Sequence, residues 1–329
     1  MSLSSPDEHA WATPALRERL LSDPASVLRD RGVNPLAELP LAILHDFIRV
    51  THLVWVDGKT VPIDRFQIDP SDEGLLFGRG AWESTRTING LPWLWPLHLD
   101  RLVETAKHLH FALDAKRLPD AQIVRDYVRS LSATQDVVIR LNVTAGAPGK
   151  PGAIWMSAAP QPKPPGPLKL LTRRSPVEKG DPYLTLKTFQ YASRLRIGQE
   201  AAAQGYHSAL MVDAEGNLQE ASHANLFVRL ADGWATPIAD GGFLPGTVRR
   251  HLLAHSPIPI AQKKIPLSSI GEFRELFVSN SGVGIVPVIQ IDKNTYPLGS
   301  ETKQIMDWLQ PPATTGTQYR FVERTTTHR

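Results

Sequence analysis

The sequence predicts a mixed α+β protein of two domains, preceded by a short helical prefix. First, its 329 residues are enough for about two domains of ordinary size. Second, strand-like runs bounded by tight-turn residues alternate with helical patterns in both halves of the chain. Third, a proline-rich stretch (AAPQPKPPGP, residues 158–167) separates the two regions, because proline at this density continues neither a helix nor a central strand.

The prediction divides the chain into five segments. They are a helical prefix at 1–50, a small α+β domain at 53–160, a linker at 161–167, a larger domain at 168–310 and a polar, loosely ordered tail at 311–329. In the prefix, Thr13-Pro14 and Asp23-Pro24 each place a capping residue before a proline at the first helical position. Apolar residues at helical spacing follow each pair, and Gly32 ends the second pattern.

The small domain begins with strands. Residues 48–61 alternate around the hairpin pair Asp57-Gly58, and a glycine-punctuated loop then leads into a strand at 82–88. Asn89-Gly90 makes a tight turn, after which residues 91–95 return as a strand. The elements that complete this domain are a helix with Leu97, Leu99, Leu102, Ala106 and Leu109 on one face, a second helix at 119–131, and a strand at 136–144.

The larger domain alternates strands and helices in the same way. Its predicted elements are a strand-like run around Lys187, a helix at 194–204 closed by Gly205, strands at 209–213 and 225–229, a helix at 248–254 and an apolar strand at 276–278.

Composition narrows the classes of function. The hydrophobic fraction of 42% predicts an ordinary buried core, and the net charge of +3 comes without a Lys/Arg run long enough for nucleic acid. The absence of cysteine excludes disulfides and thiolate catalysis. The first residues have no signal-peptide pattern, and no apolar run reaches the ~18–20 residues that a membrane helix requires. We therefore expect a cytoplasmic protein that binds neither nucleic acid nor membrane.

Lys187 and Glu220 are the pair around which the larger domain is organised. The lysine sits in a short apolar run, and the carboxylate follows 33 positions later, between two predicted strands. A pyridoxal phosphate enzyme needs a lysine amine for the Schiff base and a carboxylate that keeps the pyridine nitrogen protonated. Taken alone, the two residues are equally compatible with a surface lysine at a strand end and a solvated carboxylate in a turn.

Phosphate has to be held as well, and three places offer the means. Leu244-Pro245-Gly246-Thr247 is a turn that opens a helix, where free N–H groups meet an anion and the Thr247 hydroxyl adds a donor. Residues 279–282 (Ser-Asn-Ser-Gly) follow an apolar strand and predict a second backbone cradle. Arg101 supplies a bidentate donor.

Five sequence motifs follow one another along the chain. They are FGRGAWESTRTINGLPWLWPLHLDRL, LKTFQYAS, LQEASHANLFVR, LPGTVRRHLL and FVSNSGVGIVPV. Together they resemble the class IV aminotransferases, the fold-type IV pyridoxal phosphate enzymes, over about residues 53–300. That family includes branched-chain and D-amino acid aminotransferases, R-selective amine transaminases and aminodeoxychorismate lyases. The resemblance implies a smaller N-terminal α+β domain and a larger mixed-sheet, pseudo-barrel domain, with the cofactor in the cleft between them.

The resemblance also implies roles for single residues. Lys187 is similar to the Schiff-base lysine, Glu220 to the partner of the pyridine nitrogen, and Arg101 to the phosphate arginine of the family's H-x-x-R-L pattern. The remaining cofactor positions are Gly246, Thr247 and the N–H of Val248 at the helix start, Asn280 and Ser281 in the second cradle, and Tyr191, which matches a tyrosine near the cofactor ring oxygen. No metal site is predicted.

The substrate side departs from the family's patterns. Trp82 occupies an aromatic position that lines the pocket, and Arg140 aligns with an arginine on the substrate-carboxylate side of branched-chain enzymes. The tyrosine expected two residues before Arg140 is Val138, and the arginine that many D-amino acid enzymes and lyases place at the end of this strand is Ala145. Packing alone equally accounts for Trp82, and a structural ion pair equally accounts for Arg140.

The resemblance implies transfer of an amino group between an amino acid or amine and a 2-keto acid, through a Lys187 Schiff base. The alternative is aminodeoxychorismate lyase chemistry, which releases pyruvate and 4-aminobenzoate. A remote alternative is a non-catalytic docking protein on the same scaffold. Family members are at least homodimers, and we expect a homodimer here.

The prefix has a resemblance of its own. The pattern DPASVLRDRGVNP within residues 1–50 is similar to a nitrile hydratase-like leader. A helical cap that packs on the main fold and a module that docks a protein partner both remain open for it.

Overall fold

The computed structural model describes Arg19 and residues 50–131, 133, 135–162, 166–176 and 180–309. The predictions for the helical prefix and for the tail therefore lie outside the described residues, apart from Arg19 and Val50. Within the described ranges, every helix is too short or too polar to span a membrane.

Six antiparallel strands form the first sheet. The strands are β1 (Leu53–Val56), β2 (Lys59–Pro62), β3 (Gly80–Ile88), β4 (Leu91–Pro92), β5 (Val137–Thr144) and β6 (Ile154–Pro160). Their order across the sheet is β2-β1-β6-β5-β3-β4. Three helices belong to this part of the chain: α1 (Glu73–Phe77), α2 (Trp95–His108) and α3 (Ala121–Ser130).

The first core joins this sheet to helices α2 and α3. Leu102 and Tyr127 of the helices pack among buried strand residues such as Leu141. The side chains of β3 alternate, so that its odd-numbered positions from 81 to 87 are buried. Glu83 therefore points inward, and a buried carboxylate requires partners there.

Nine strands form the second sheet. They are β7 (Leu168–Arg174), β8 (Ser208–Val212), β9 (Leu218–Ala221), β10 (Ala224–Leu230), β11 (Gly233–Pro237), β12 (Ile260–Lys263), β13 (Glu275–Asn280), β14 (Gly284–Ile291) and β15 (Asn294–Thr295). The helices of this part are α4 (Ala192–Ala202), α5 (Thr247–His255) and α6 (Ser300–Leu309).

The second sheet closes on itself. Its order is β12-β11-β10-β13-β14-β7-β8-β9, and β9 also pairs with β10. The pairs β14–β7, β7–β8 and β11–β12 are parallel, whereas the other pairs are antiparallel. Closure leaves few open strand edges and buries one side of the sheet around residues such as Leu210, Val228 and Val288. The predicted mixed α+β fold with a pseudo-barrel is confirmed.

Several local predictions hold and two do not. The hairpin turns at Asp57-Gly58 and Asn89-Gly90 have the positive φ angles that such pairs favour. The predicted strand at 91–95 is only β4, because the helix α2 already begins at Trp95. The strand predicted around Lys187 is wrong. Asp181 caps a 3-10 turn at Pro182–Leu184, and Thr188 then makes a single bridge to β3. The domain limits stay a prediction.

The two sheets meet along β3. The Arg86 N–H donates to the Ser281 carbonyl (3.0 Å), and Arg101 of α2 donates to the Pro245 carbonyl (3.4 Å) just before α5. Loops of the second sheet therefore lie directly against a strand and a helix of the first, and the predicted site residues lie along this boundary.

Candidate active site

Lys187 lies on a segment that runs beside the start of β3. The Trp82 N–H donates to the Lys187 carbonyl at 3.0 Å, next to the bridge between Ala81 and Thr188. The Trp82 indole Nε1–H donates to the Thr188 carbonyl at 2.9 Å. The first sheet thus fixes the lysine's backbone, although the residues that follow it belong to the second sheet's helix α4.

Three of the predicted site residues gather around the ring of a fourth, Trp82. The Lys187 Nζ lies 3.6 Å from the ring centroid, and the Arg140 guanidinium carbon lies 3.8 Å from it. The Tyr191 ring meets Trp82 edge to face, with centroids 5.3 Å apart and planes at 80°. The structure therefore brings Trp82, Arg140, Lys187 and Tyr191 into one cluster, with cations held against an aromatic face.

The Lys187 ammonium lies in an environment that disfavours its charge. Burial is the largest cause, and the positive charge of Arg101 adds to it, so that the pKa of Lys187 falls to about 7. A large fraction of the amine is then neutral near neutral pH. Only the neutral amine is a nucleophile or a base, so the site prepares Lys187 for either task.

Glu220 lies on β9 and is 3% exposed. Its Oε1 accepts hydrogen bonds from the Arg194 guanidinium and from the Leu244 N–H (3.0 Å). Its Oε2 accepts one from the Asn225 amide at 3.3 Å. Burial raises the pKa of Glu220, and the Arg194 charge opposes that rise.

Arg101 is held in place by Glu83, which sequence reasoning did not identify. The Arg101 Nε donates to Glu83 Oε1 (2.7 Å) and its Nη2 donates to Oε2 (2.6 Å). His98 Nδ1 lies 2.6 Å from the same Oε2. Burial alone would raise the pKa of Glu83, but Arg101 and then His98 bring it down to about 2. The carboxylate is therefore a fixed anchor for the arginine.

His98 carries this network into the second sheet's helix α5. Burial lowers the pKa of His98, so the ring is neutral and donates from Nδ1 to Glu83. Its Nε2 then accepts a hydrogen bond from the Thr247 hydroxyl, 3.2 Å away. The Thr247 hydroxyl, predicted as a phosphate donor, is thus directed at His98, because the neutral ring needs a donor for its second nitrogen.

The start of α5 nevertheless offers backbone donors. Gly246 is the N-cap, and the N–H groups of Thr247 and Val248 belong to the first turn, where a helix provides no internal acceptors. A Cβ at position 246 would lie 2.2 Å from the Asn225 Oδ1, so only glycine allows this close approach. Asn225 also accepts the Gly246 N–H (3.0 Å), which fixes the turn.

The second predicted cradle is partly used by the protein itself. The Asn280 side chain accepts the N–H groups of Gly282 and Val283, each at 3.0 Å, because an Asn in a tight turn bonds to the backbone that follows it. The Ser281 hydroxyl donates to the Ser84 carbonyl of β3. These residues therefore join the two sheets in this structure, and those two N–H groups are not open to an anion.

A cavity of about 460 Å³ lies beside the start of α5. Arg101, Leu186, Thr247 and Arg250 are among its lining residues. Three arginines (Arg101, Arg249 and Arg250) and a helix N-terminus border it against one carboxylate, Glu104, so its walls favour a negatively charged group. Among the described residues, no cluster of His, Cys, Asp or Glu could hold a metal ion.

Sequence reasoning missed Glu83, His98, Arg194, His223 and Asn225. A signal existed for Glu83, because the alternation of β3 places it among inward-facing positions. His223 lies in the turn between β9 and β10, where its ring stacks on Tyr191 with centroids 5.8 Å apart. Nothing local marks Arg194 or His223, since each acquires its partner from a distant part of the chain.

Several known proteins are similar to this chain in sequence. The family model for amino-transferase class IV matches residues 80–291. A provisionally named branched-chain-amino-acid aminotransferase of Methanocaldococcus jannaschii is 26% identical over 77% of this chain and 94% of its own. The aminodeoxychorismate lyase of Bacillus subtilis is 24% identical over 78% of this chain and 92% of its own.

The fold has a solved counterpart. The crystal structure of the branched-chain aminotransferase from Thermoproteus uzoniensis with norvaline superposes with a TM-score of 0.72, covering 78% of this chain and 93% of that chain at 24% identity. The family model alone spans well over half of the 329 residues. The predicted family, fold class and enzyme class are therefore confirmed, and the chain belongs to the class IV aminotransferases.

Proposed function

We propose that this chain binds pyridoxal phosphate and transfers an amino group between an amino acid and a 2-keto acid. The observation that carries the proposal is the convergence of three polar groups of different chemistry at one boundary. They are the Lys187 amine, the buried Glu220 carboxylate and the Arg101 guanidinium beside the start of α5. This class IV family uses such a set to hold an aldehyde carbon, a pyridine nitrogen and a phosphate.

The residues present fit that cofactor. Arg101, anchored on Glu83, and the N–H groups of Thr247 and Val248 would hold the phosphate. The close approach that Gly246 permits suits a backbone that cradles an anion. We propose that Ser281 adds its hydroxyl only after turning away from Ser84. For Asn280 we propose an indirect role, because its side chain shapes the turn that carries Ser281.

The remaining roles follow from the chemistry of each group. Bound pyridoxal phosphate supplies an electron-accepting ring and a reactive aldehyde carbon. Lys187 Nζ, a large fraction of which is neutral near pH 7, would accept the proton from the substrate Cα and donate it back on the far side of the substrate's amino nitrogen. The Glu220 carboxylate would accept a hydrogen bond from the ring nitrogen and so keep that nitrogen protonated. Tyr191, whose hydroxyl lies 3.4 Å from His223 Nδ1, would hydrogen bond to the ring oxygen.

On the substrate side, we propose that Arg140 binds the substrate carboxylate and Trp82 forms the adjoining wall. The Arg140 Nε donates to the Asn142 Oδ1 at 2.9 Å, which orients the guanidinium next to Lys187 and Trp82. A planar guanidinium in that position suits the carboxylate that amino acids and 2-keto acids share. The relative from Methanocaldococcus jannaschii supports amino acids with branched side chains as the first substrates to test.

Aminodeoxychorismate lyase activity is the second candidate, because the Bacillus subtilis lyase matches nearly the same share of the chain as the aminotransferase relative does. Both reactions need the same lysine and cofactor. They differ in the need for an acceptor. Amino-group transfer requires a 2-keto acid, whereas the lyase releases pyruvate without one. A docking role for residues 1–50 concerns a segment outside the described residues.

Borohydride trapping tests the cofactor first. The purified protein should carry a pyridoxyl group on Lys187 after reduction, detected by peptide mass spectrometry, whereas Lys187→Ala should carry none. Lys59→Ala, which replaces an exposed lysine on β2, serves as the matched control and should be labelled at Lys187 like the wild type. A wild-type protein with no label on Lys187 would overturn the proposal.

Half-reactions then separate the two activities. We expect L-valine or L-leucine to shift the cofactor absorbance of the wild type, and 2-ketoglutarate to reverse the shift. Pyruvate release from aminodeoxychorismate without a keto acid would instead establish the lyase. Lys187→Ala should lose at least about 10³-fold in turnover, the scale of a catalytic acid–base or nucleophilic group.

A further inference from the structure

We infer that Arg194 is a positioning residue of this site: it holds the Glu220 carboxylate ionised, with Oε2 turned to the ring nitrogen, and ties it to the segment that carries Lys187. The inference rests on the proposed function, because the ring nitrogen belongs to pyridoxal phosphate. Neither the motif pattern nor the family match assigns a role to Arg194.

The hydrogen bonds of Glu220 differ between its two oxygens. Oε1 accepts from the Arg194 guanidinium and from the Leu244 N–H at 3.0 Å, which fills both of its acceptor directions. Within the described part of the chain, Oε2 accepts only the Asn225 amide, at the long distance of 3.3 Å. One direction of Oε2 therefore remains for a further donor. Arg194 thus selects which oxygen can face a ligand.

The other end of the guanidinium reaches the lysine's segment. The Arg194 Nη2 donates to the Leu184 carbonyl at 3.0 Å. Leu184 is buried and ends the 3-10 turn Pro182–Leu184, three residues before Lys187. Arg194 itself is 8% exposed, so these bonds are shielded from water. One side chain of α4 thereby sets the spacing between the proposed catalytic amine and the proposed ring-nitrogen partner.

The charges around Glu220 come from several elements. Arg194 faces it from α4, Lys187 and Tyr191 from the adjoining segment, and Arg249 from α5. Among these, Arg194 is the group in direct contact with the carboxylate. Arg249 instead donates to the Pro237 carbonyl and to Gln262. The ionised state of Glu220 therefore depends chiefly on Arg194.

Because Glu220 is buried, loss of Arg194 should raise its pKa. Burial raises the pKa of Glu220, and the Arg194 charge lowers it again. Without Arg194, the pKa rises further, so the carboxylate takes up a proton at a higher pH than before. The protonated form cannot accept the ring N–H unless it releases that proton. Cofactor affinity should therefore weaken as the pH falls.

The experiment measures the Kd of pyridoxal phosphate for cofactor-free protein at pH 6, 7 and 8, by quenching of tryptophan fluorescence. Wild type is compared with Arg194→Gln, with Arg194→Lys and with Arg229→Gln. A parallel series in a Lys187→Ala background removes the titration of Lys187, whose pKa the Arg194 charge also lowers, and the pH dependence expected below must persist there. Arg229 is the matched control, because it lies on β10 of the same sheet but pairs with Glu301 of α6 at 3.0 Å, away from Glu220. The ratio of each variant's Kd to the wild-type Kd at the same pH cancels titration of the free cofactor.

We expect this ratio for Arg194→Gln to rise by about tenfold or more from pH 8 to pH 6, since one proton per event gives up to tenfold per pH unit. The ratios for Arg194→Lys and Arg229→Gln should change by less than about threefold between pH 8 and pH 6, because both variants keep a positive charge next to Glu220. Circular dichroism checks folding. If Arg194→Gln does not fold, Arg194→Met offers a second uncharged side chain of similar length for the same titration.

Two results would overturn the inference. One is a flat ratio for the neutral variants across this pH range. The other is an equal, pH-independent loss in Arg194→Gln and Arg194→Lys, which indicates packing alone. Failure of the wild type to bind pyridoxal phosphate at any pH would instead reject the proposed function, so the two failures are distinguishable.

Discussion

Buried charges at the site are arranged in pairs that keep each group in a defined protonation state. Glu83 is ionised because Arg101 and His98 contact it, and Glu220 has Arg194. An unpaired charge in either place would cost several kcal/mol. Several residues that hold the site together, among them Glu83, His98 and Arg194, are not identified by the sequence patterns.

The Glu83 network gives the first test at this scale. Glu83→Gln removes the charge that anchors Arg101, so we expect a loss of about 3 kcal/mol in the free energy of unfolding, the scale for breaking a buried ion pair. Urea denaturation at pH 7 measures it. Glu73→Gln, the matched control, breaks the more exposed Glu73–Arg79 pair and should cost less than about 1 kcal/mol.

The stability that Glu83 contributes should decrease as the pH falls. The pKa of Glu83 is about 2 in the folded protein against an ordinary value of 4.5. Its contribution is therefore present above pH 4.5 and is lost as the pH falls toward 2. The difference between wild type and Glu83→Gln should shrink across that window. A difference that stays constant would contradict the assignment.

At the scale of elements, the site depends on how helix α5 begins. Its N-cap is a glycine pressed against Asn225, with an ordinary φ of −63°. The glycine is needed there for space rather than for conformational freedom, because any side chain would strike the amide oxygen. The helix start reaches the boundary with the first sheet only because position 246 has no side chain.

Gly246→Ala tests this element. The added Cβ would lie 2.2 Å from the Asn225 Oδ1, so the turn must shift. We expect a loss of about 1–3 kcal/mol in stability, as overpacking usually costs, and weaker binding of pyridoxal phosphate. Thermal unfolding and cofactor titration measure the two effects. Gly271→Ala, where nothing lies within 4 Å of the new Cβ, should change neither. Equal behaviour of the two variants would contradict the steric argument.

At the scale of the whole molecule, we propose a homodimer. The helix α1 presents Leu75, Leu76 and Phe77 with exposed fractions of 62%, 55% and 66%. They lie just before Gly78, which approaches the side chain of Gln190 near the lysine's segment. A contiguous apolar surface beside the site is costly in water, and a second copy of the chain would cover it.

Sedimentation velocity checks the assembly. The wild type should sediment as a dimer at micromolar concentration, and Phe77→Glu should shift it toward the monomer, because a buried unpaired carboxylate is unfavourable at an interface. Leu298→Glu changes a similarly exposed leucine (62%) in another part of the molecule and serves as the control. A monomeric wild type would reject the homodimer.

Much of the fold was accessible from the sequence because local patterns specify it. The hairpins at Asp57-Gly58 and Asn89-Gly90 and the helix after Gly246 follow from turn chemistry and periodicity. The segment around Lys187 is the exception. Its apolar residues resemble a strand, but Asp181 and Pro182 form a capped turn there. Thr188 pairs with Ala81, a residue far away in the chain, so no local pattern predicts that contact.

The sequence by itself determined the family, the mixed fold and the identity of the main charged site residues, because motif order and residue type are properties of the chain. Only the tertiary structure decided which groups meet. It directs the Thr247 hydroxyl to His98, anchors Arg101 on Glu83 and joins Arg194 to Glu220. The physical reason is that burial forces each polar group to find a partner, and that partner is chosen by packing between two sheets rather than by spacing along the chain.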